Sequence, residues 1–194
     1  MGGEPLLHPQ YLSFLKSTRE YFPHSTIVLV SNGILLHSLK DEDIYTMNLL
    51  GIELCVSDYG IKIDHEKFNK FNIRYFHSKN SMYNISLDLS GAQNNEQSFR
   101  NCDLVQGGWY FFKDGRIYQC CIMANIDYFC EHFNKDIQYS INDISISIFD
   151  HSEEEVKEFL SCPHEVCKYC NTMARKSSYS PFEVSKGDIK EWTI

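Results

Sequence analysis

An apolar, β-branched run closed by a small polar turn occurs twice in the first third of the chain, each time with a helical pattern beside it. This rhythm leaves few folds open. "TIVLV" runs into Ser31-Asn32-Gly33, and "ELCV" runs into Ser57-Asp58-Tyr59-Gly60. An unbroken apolar run of this length reads as a strand buried on both faces, the kind a parallel sheet uses. Leu12, Leu15 and Phe22 recur at helical spacing between Pro9 and Pro23. The patterns predict helices over 9–22, 41–50 and 64–71, and strands over 26–30, 53–56 and 73–76. Asp41 is the expected cap of the second helix and Gly51 its terminator. Strand and helix in alternation imply βα units and a parallel sheet. Ligands of such sheets sit at the carboxyl ends of the strands, which draws attention to "GGEP" at residues 2–5, to "SNG" and to "SDYG".

The pattern changes after residue 89. Ser90 to Ser98 is rich in Asn and Ser, and a domain boundary is expected there, giving segments 1–89, 90–175 and a polar tail, 176–194, with no clear element of its own. Trp109 to Phe112 and Ile117 to Cys121, joined through Lys113-Asp114-Gly115-Arg116, form a hairpin signal. Residues 144–149 alternate like a strand, and Ser152-Glu153-Glu154-Glu155 opens a helix to Leu160 as a capping box. Trp109, Tyr110 and Phe111 suit a pocket wall, but an aromatic strand in a small domain is more often core.

Eight cysteines in 194 residues set the chemistry. With no leader ahead of the glycine turn, a reducing, cytoplasmic setting is expected, where metal or redox roles outrank disulfides. Cys102 and Cys120 bracket the hairpin, with Gly115 five residues before Cys120, and Cys167 and Cys170 form a Cys-x-x-Cys. A hairpin sulfur plus a Cys-x-x-Cys knuckle is a recurrent way to gather four thiolates, and spacing does not separate zinc from an iron–sulfur cluster. Cys55 and Cys130 read as core. Cys121, taken as the strand neighbour of Cys120, should face away from any metal. Cys162 is open between ligand and bystander, and His164 reads as a loop histidine. A net charge of −8 argues against nucleic acid or an anionic membrane as partner, and the longest apolar run, Ile27 to Val30, is far too short to span a bilayer.

"GGEPLLHPQYLSFL" followed by "TIVLVSNG" and "LCVSDYG" resembles the radical S-adenosylmethionine enzymes, whose partial or full βα barrel carries a Gly-Gly-Glu-Pro turn after its second strand. The later pattern of Cys102, Gly115-x-x-x-x-Cys120 and Cys167-x-x-Cys170 resembles their small C-terminal cluster domain, called SPASM in its full form and twitch in its shorter one. No cysteine follows Cys170, so the shorter form with one auxiliary cluster is the better match.

The resemblance implies a partial βα barrel followed by a small α+β cluster domain. It implies a [4Fe–4S] cluster on Cys102, Cys120, Cys167 and Cys170. S-adenosylmethionine would lie against Gly2, Gly3, Glu4 and Pro5, with Ser31, Asn32, Ser57 and Asp58 at the neighbouring strand ends. The implied chemistry is radical modification or oxidation of a sugar, cyclitol or peptide, with a flavodoxin or ferredoxin as electron donor to the whole enzyme. The family's Cys-x-x-x-Cys-x-x-Cys loop is absent from this chain. "MGGEP" is therefore expected to be the interior of a longer protein, and the chain alone is expected not to start a radical. The alternative is a non-catalytic module in which the same thiolates hold a structural zinc.

Overall fold

A computed structural model describes residues 3–57, 59–60, 62–78, 82–174, 176–179 and 186–194, with 65, 82–85 and 176–179 described by their backbone alone. The chain divides into two compact units: Gly2–Met82 with Tyr179–Glu183, and Tyr83–Ser178 with Val184–Ile194. It is a mixed α/β protein. Among the described residues no helix is long and apolar enough to cross a membrane.

The first unit is built on three parallel strands, β1 (Ile27–Ser31), β2 (Ile52–Ser57) and β3 (Tyr75–Ser78), in the order β1-β2-β3. Their register places Ser31 beside Val56 and Ser57 beside Ser78, so the carboxyl ends of the three strands lie in a row. The helices α1 (Tyr11–Tyr21), α2 (Asp41–Leu49) and α3 (His65–Lys70) supply the connections and the cover. Ile27, Leu29, Leu54 and Val56 pack with Leu15, Ile44, Met47 and Phe68 into one core. Arg19, near the end of α1, donates to the carbonyls of Leu50 (2.7 Å) and Gly51 (3.2 Å) and, through its other nitrogen, to Ser25 (2.8 Å). One guanidinium thus ties the exit of α1 to the turn that feeds β2, in the multi-carbonyl geometry its planar fork permits. The start of α2 differs from expectation: Asp41 is already helical, and Asp43 reaches back to accept from the Lys40 amide at 3.2 Å.

The second unit centres on an antiparallel sheet, β5 (Phe111–Lys113), β6 (Arg116–Tyr118) and β7 (Ser145–Ser147), in that order, with β4 (Met82–Ile85) and β8 (Lys176–Tyr179) forming a separate pair. The hairpin turn is the two-residue Asp114-Gly115, both at positive φ (53° and 72°), the conformation whose twist matches the flanking strands. A Cβ on Gly115 would stand 2.5 Å from the largely exposed Phe149 ring, which would have to swing aside, and the positive φ of the turn is what favours glycine.

Three stretches depart from the sequence reading. The Asn-rich segment is α4 (Asn95–Arg100), capped by the Asn94 side chain on the Gln97 amide at 2.9 Å, followed by α5 (Asp103–Gln106). The strand expected to run through Cys121 ends at Tyr118, and α6 (Cys121–Phe133) begins instead. The last two residues pair with Leu87: the Ile194 amide donates to the Leu87 carbonyl at 3.0 Å, and Leu87 bridges both Thr193 and Cys170. A short α7 (Ile141–Ile144) precedes β7, and α8 (Glu153–Ser161) carries the expected capping box on Ser152 and Glu155.

Candidate functional site

Two places carry the polar and nucleophilic groups that the sequence singles out, one in each unit.

In the first unit the N-terminal turn is fastened to the end of β1. The Glu4 carboxylate accepts from the Ser31 hydroxyl at 2.9 Å and from the Asn32 amide at 2.8 Å, and caps the 3-10 turn Pro5–Leu7 through the Leu6 amide at 3.2 Å. Ser31, almost fully buried, also accepts from the Gly33 amide at 3.1 Å, and the Asn32 side chain accepts from Ile34 at 2.9 Å. Glu4, Ser31 and Asn32 therefore stand together, with their polar atoms engaged with one another. Gly3 sits beside them at φ 72°, and Ser57 is buried at the end of the next strand. Gly2 and Asp58 lie outside the described residues. Glu4→Ala removes acceptors for three donors, so it should lower stability by about 1.5–3 kcal/mol in urea denaturation, the range for hydrogen bonds to a charged group. Glu4→Gln should recover part of that loss.

In the second unit Cys102, Cys120, Cys167 and Cys170 line one cavity together with Gln119 and Met123. The space open to the centre of a water-sized sphere is about 30 Å³, room for about two waters. The four sulfurs arrive from three segments. Cys102 caps α5, Cys120 caps α6, and Cys167 and Cys170 belong to the 3-10 turn Glu165–Tyr169 and its end. The knuckle is held in place by backbone bonds: Asp88 donates to the Tyr169 carbonyl (2.7 Å) and Asn171 donates to Ser86 (2.8 Å). The Ser98 hydroxyl donates to the Cys170 carbonyl.

Burial governs the thiols. It drives Cys120 far above the ordinary thiol range and pushes Cys170 up to about 12, with the neighbouring sulfurs adding to both shifts. Burial raises Cys167 as well. Local hydrogen bonding works in the other direction, from the Met123 backbone on Cys120, the His164 backbone on Cys167 and the Ser86 side chain on Cys170, and is outweighed by burial. Such donors stabilise a thiolate once it forms.

Gln119 is completely buried. Its amide nitrogen bridges the carbonyls of Leu160 (2.9 Å) and Cys162 (3.0 Å), while its Oε1 has no protein partner. The sequence reading passed over it, and a polar residue at the end of an apolar strand was the available signal.

The remaining cysteines sort differently. Cys55 is buried in β2 and Cys130 packs partly buried on the second core. Cys162 is exposed at the end of α8 and takes no part in the cavity wall. Cys121 is the first residue of α6 and not a strand residue, yet the cavity wall takes Cys120 and leaves out Cys121, so only one of the adjacent pair lines the site. The His164 Nε2–H donates to the Phe159 carbonyl at 3.0 Å, and its ring lies against the Phe159 ring at 4.1 Å. Burial lowers its basicity, so it stands as a packed neutral histidine. Trp109 and Tyr110 are largely exposed, and Phe111 packs on the core.

The donor set is all sulfur, which suits zinc, copper(I) or iron–sulfur centres. Four thiolates on one tetrahedral zinc stand about 3.8 Å apart, given a Zn–S bond of about 2.3 Å. Among the described residues no three metal-ligating side chains close on a single point in this way. No family model matches the chain, and no curated protein matches it.

Proposed function

We propose that the second unit holds one [4Fe–4S] cluster on Cys102, Cys120, Cys167 and Cys170, and that the chain is part of a radical S-adenosylmethionine enzyme of the SPASM or twitch type. The observation that carries this reading is the convergence of those four thiols, from three separate segments, on one cavity. The donor chemistry supports it further. Hydrogen bonding from Met123, His164 and Ser86 favours the thiolate forms of Cys120, Cys167 and Cys170 against their burial, as such bonding does around thiolate-held clusters.

When bound, the cluster supplies one-electron transfer or a substrate anchor. The chain's own part is to exclude water, through Met123, Ile126 and Val166, and to hold the four thiolates in place. In the first unit, S-adenosylmethionine is assigned to the strand ends at Gly2, Gly3, Glu4, Pro5, Ser31, Asn32 and Ser57. Support for that assignment is the Glu4 carboxylate, which fixes the glycine turn against the end of β1. The substrate class is a sugar, a cyclitol or a peptide, and eight free cysteines suit the reducing cytoplasm. The chain contains no Cys-x-x-x-Cys-x-x-Cys, so radical initiation is not assigned to it.

The test is metal and sulfide analysis of anaerobically prepared protein with its visible absorption. Roughly four irons and four sulfides per chain, with brown colour, are expected. About one zinc with no sulfide would overturn the cluster in favour of a structural zinc module. Neither metal would overturn the site altogether.

A further inference from the structure

Gln119 lies between the end of β6 at Tyr118 and the α6 cap Cys120, and it is wholly buried. Its amide nitrogen is engaged by the Leu160 and Cys162 carbonyls, at 2.9 and 3.0 Å, and neither of those residues belongs to the cavity wall. The two bonds also fix which end of the amide is which. Turning it over would set its oxygen against two carbonyl oxygens. Gln119 itself does line the cavity. The end left for the cavity is Oε1, a buried acceptor with no protein donor. A buried acceptor in that state bears its full desolvation penalty, and protein interiors meet such groups with ordered water.

The cavity has the size and the partners for it. Its open space of about 30 Å³ compares with about 10–15 Å³ for one water by the same measure. Ser98, buried and also on the wall, gives its hydroxyl hydrogen to the Cys170 carbonyl, which leaves its oxygen able to accept. The sulfurs of Cys102, Cys120, Cys167 and Cys170 add weak donors and acceptors. The rest of the wall, Ile126, Ile137, Ile144 and Val166 among it, is apolar. It keeps bulk solvent out and traps what is inside.

We infer that this cavity is a water site: in the metal-free chain it holds two ordered waters, the first donating to Gln119 Oε1 and the second bonded to the first. The inference is independent of the metal-centre reading, and a chain that binds no metal at all would still carry it. Any metal centre built on the four thiols must displace the pair.

The test is a crystal structure of the full chain, reduced and chelator-treated, at a resolution that shows ordered water. Two density peaks are expected in the cavity, one about 2.7–3.2 Å from Gln119 Oε1 and the other within hydrogen-bond distance of the first. A cavity without density overturns the inference, as does an Oε1 found on a protein donor. In solution, oxygen-17 relaxation dispersion counts long-lived waters without interference from exchanging thiol and hydroxyl hydrogens. Gln119→Met keeps the length of the side chain and removes the acceptor, so it should lose about two such waters. Circular dichroism establishes that the variant is folded. A folded variant that keeps the waters overturns Gln119 as their anchor. If the variant does not fold, the crystal structure of the unsubstituted chain decides alone. An unsubstituted chain that folds only with metal also overturns the inference, because a hydrated and bonded cavity needs no metal to close.

Discussion

Between pH 7.5 and 10 the metal-free chain should lose stability while its grip on a thiolate-bound metal strengthens. Burial raises Cys120, Cys167 and Cys170, the last to about 12. In the unfolded chain the same thiols release their protons near 8.5. Above that value the folded state holds more protons than the unfolded one, so stability falls as pH rises. The contribution is complete below about 8.5 and is lost progressively as pH climbs through the raised folded values. For Cys170 alone the full effect is on the order of a few kcal/mol, a large share of the 5–15 kcal/mol that holds a typical domain together. Metal binding runs the other way. Each ligand must give up its proton first, so every thiol still protonated adds up to about tenfold in apparent affinity per pH unit. Urea denaturation of reduced, chelator-treated protein across this range reads the first trend. Competition for zinc with a chelator reads the second, with zinc as probe because it needs no sulfide. A metal-free stability that stays flat or rises toward pH 10 would mean that the thiols are not buried as a group.

These sulfurs were easier to find in the sequence than the elements that carry them. The spacing of Cys102, Cys120, Cys167 and Cys170 names all four cysteines of the cavity wall, because a Cys-x-x-Cys is a local pattern and the hairpin turn is marked by Asp114-Gly115. The parallel strands were legible for the same reason: β-branched runs ending in Ser31-Asn32-Gly33 and Ser57 are local signals. The start of α6 was not. "IYQCCIM" reads as one apolar run, and only the burial of Met123, Ala124 and Ile126 distinguishes a helix from a continuing strand. Asn94 lowered the apparent order of its segment when it is in fact a helix cap. The pairing of Leu87 with Thr193 and Cys170 joins residues far apart in sequence, and no window of local pattern contains it. The clasp of Glu4 on Ser31 and Asn32 is hidden in the same way, since a glutamate in a glycine turn does not announce its partner 27 residues on.

Phe68→Ala should lower the stability of the βα unit by about 3–5 kcal/mol, the range for truncating a fully buried aromatic ring. α3 has six residues, at most about half the length at which an isolated helix is even marginal in water. Its persistence depends on what it buries. Phe68 is 2% exposed, heads the fully buried side chains by volume, and stands 6.1 Å from the Tyr75 ring on β3. Its carbonyl also accepts the amides of Phe71 (3.2 Å) and Ile73 (3.3 Å), which turn the chain from α3 toward β3. Removing the ring opens a cavity under Leu54 and Val56, and a sheet fixed by its parallel register cannot collapse to fill it. Leu49→Ala is the matched contrast: an apolar residue at the end of α2, 70% exposed, whose loss should change stability by no more than about 0.5 kcal/mol. Urea denaturation of both variants decides between two accounts of this unit. A difference of several kcal/mol assigns the stability of α3 to its single buried ring. Equal small effects would mean that the capped turn at Asp64 and the β1-β2 pairing hold the unit together and Phe68 merely fills space.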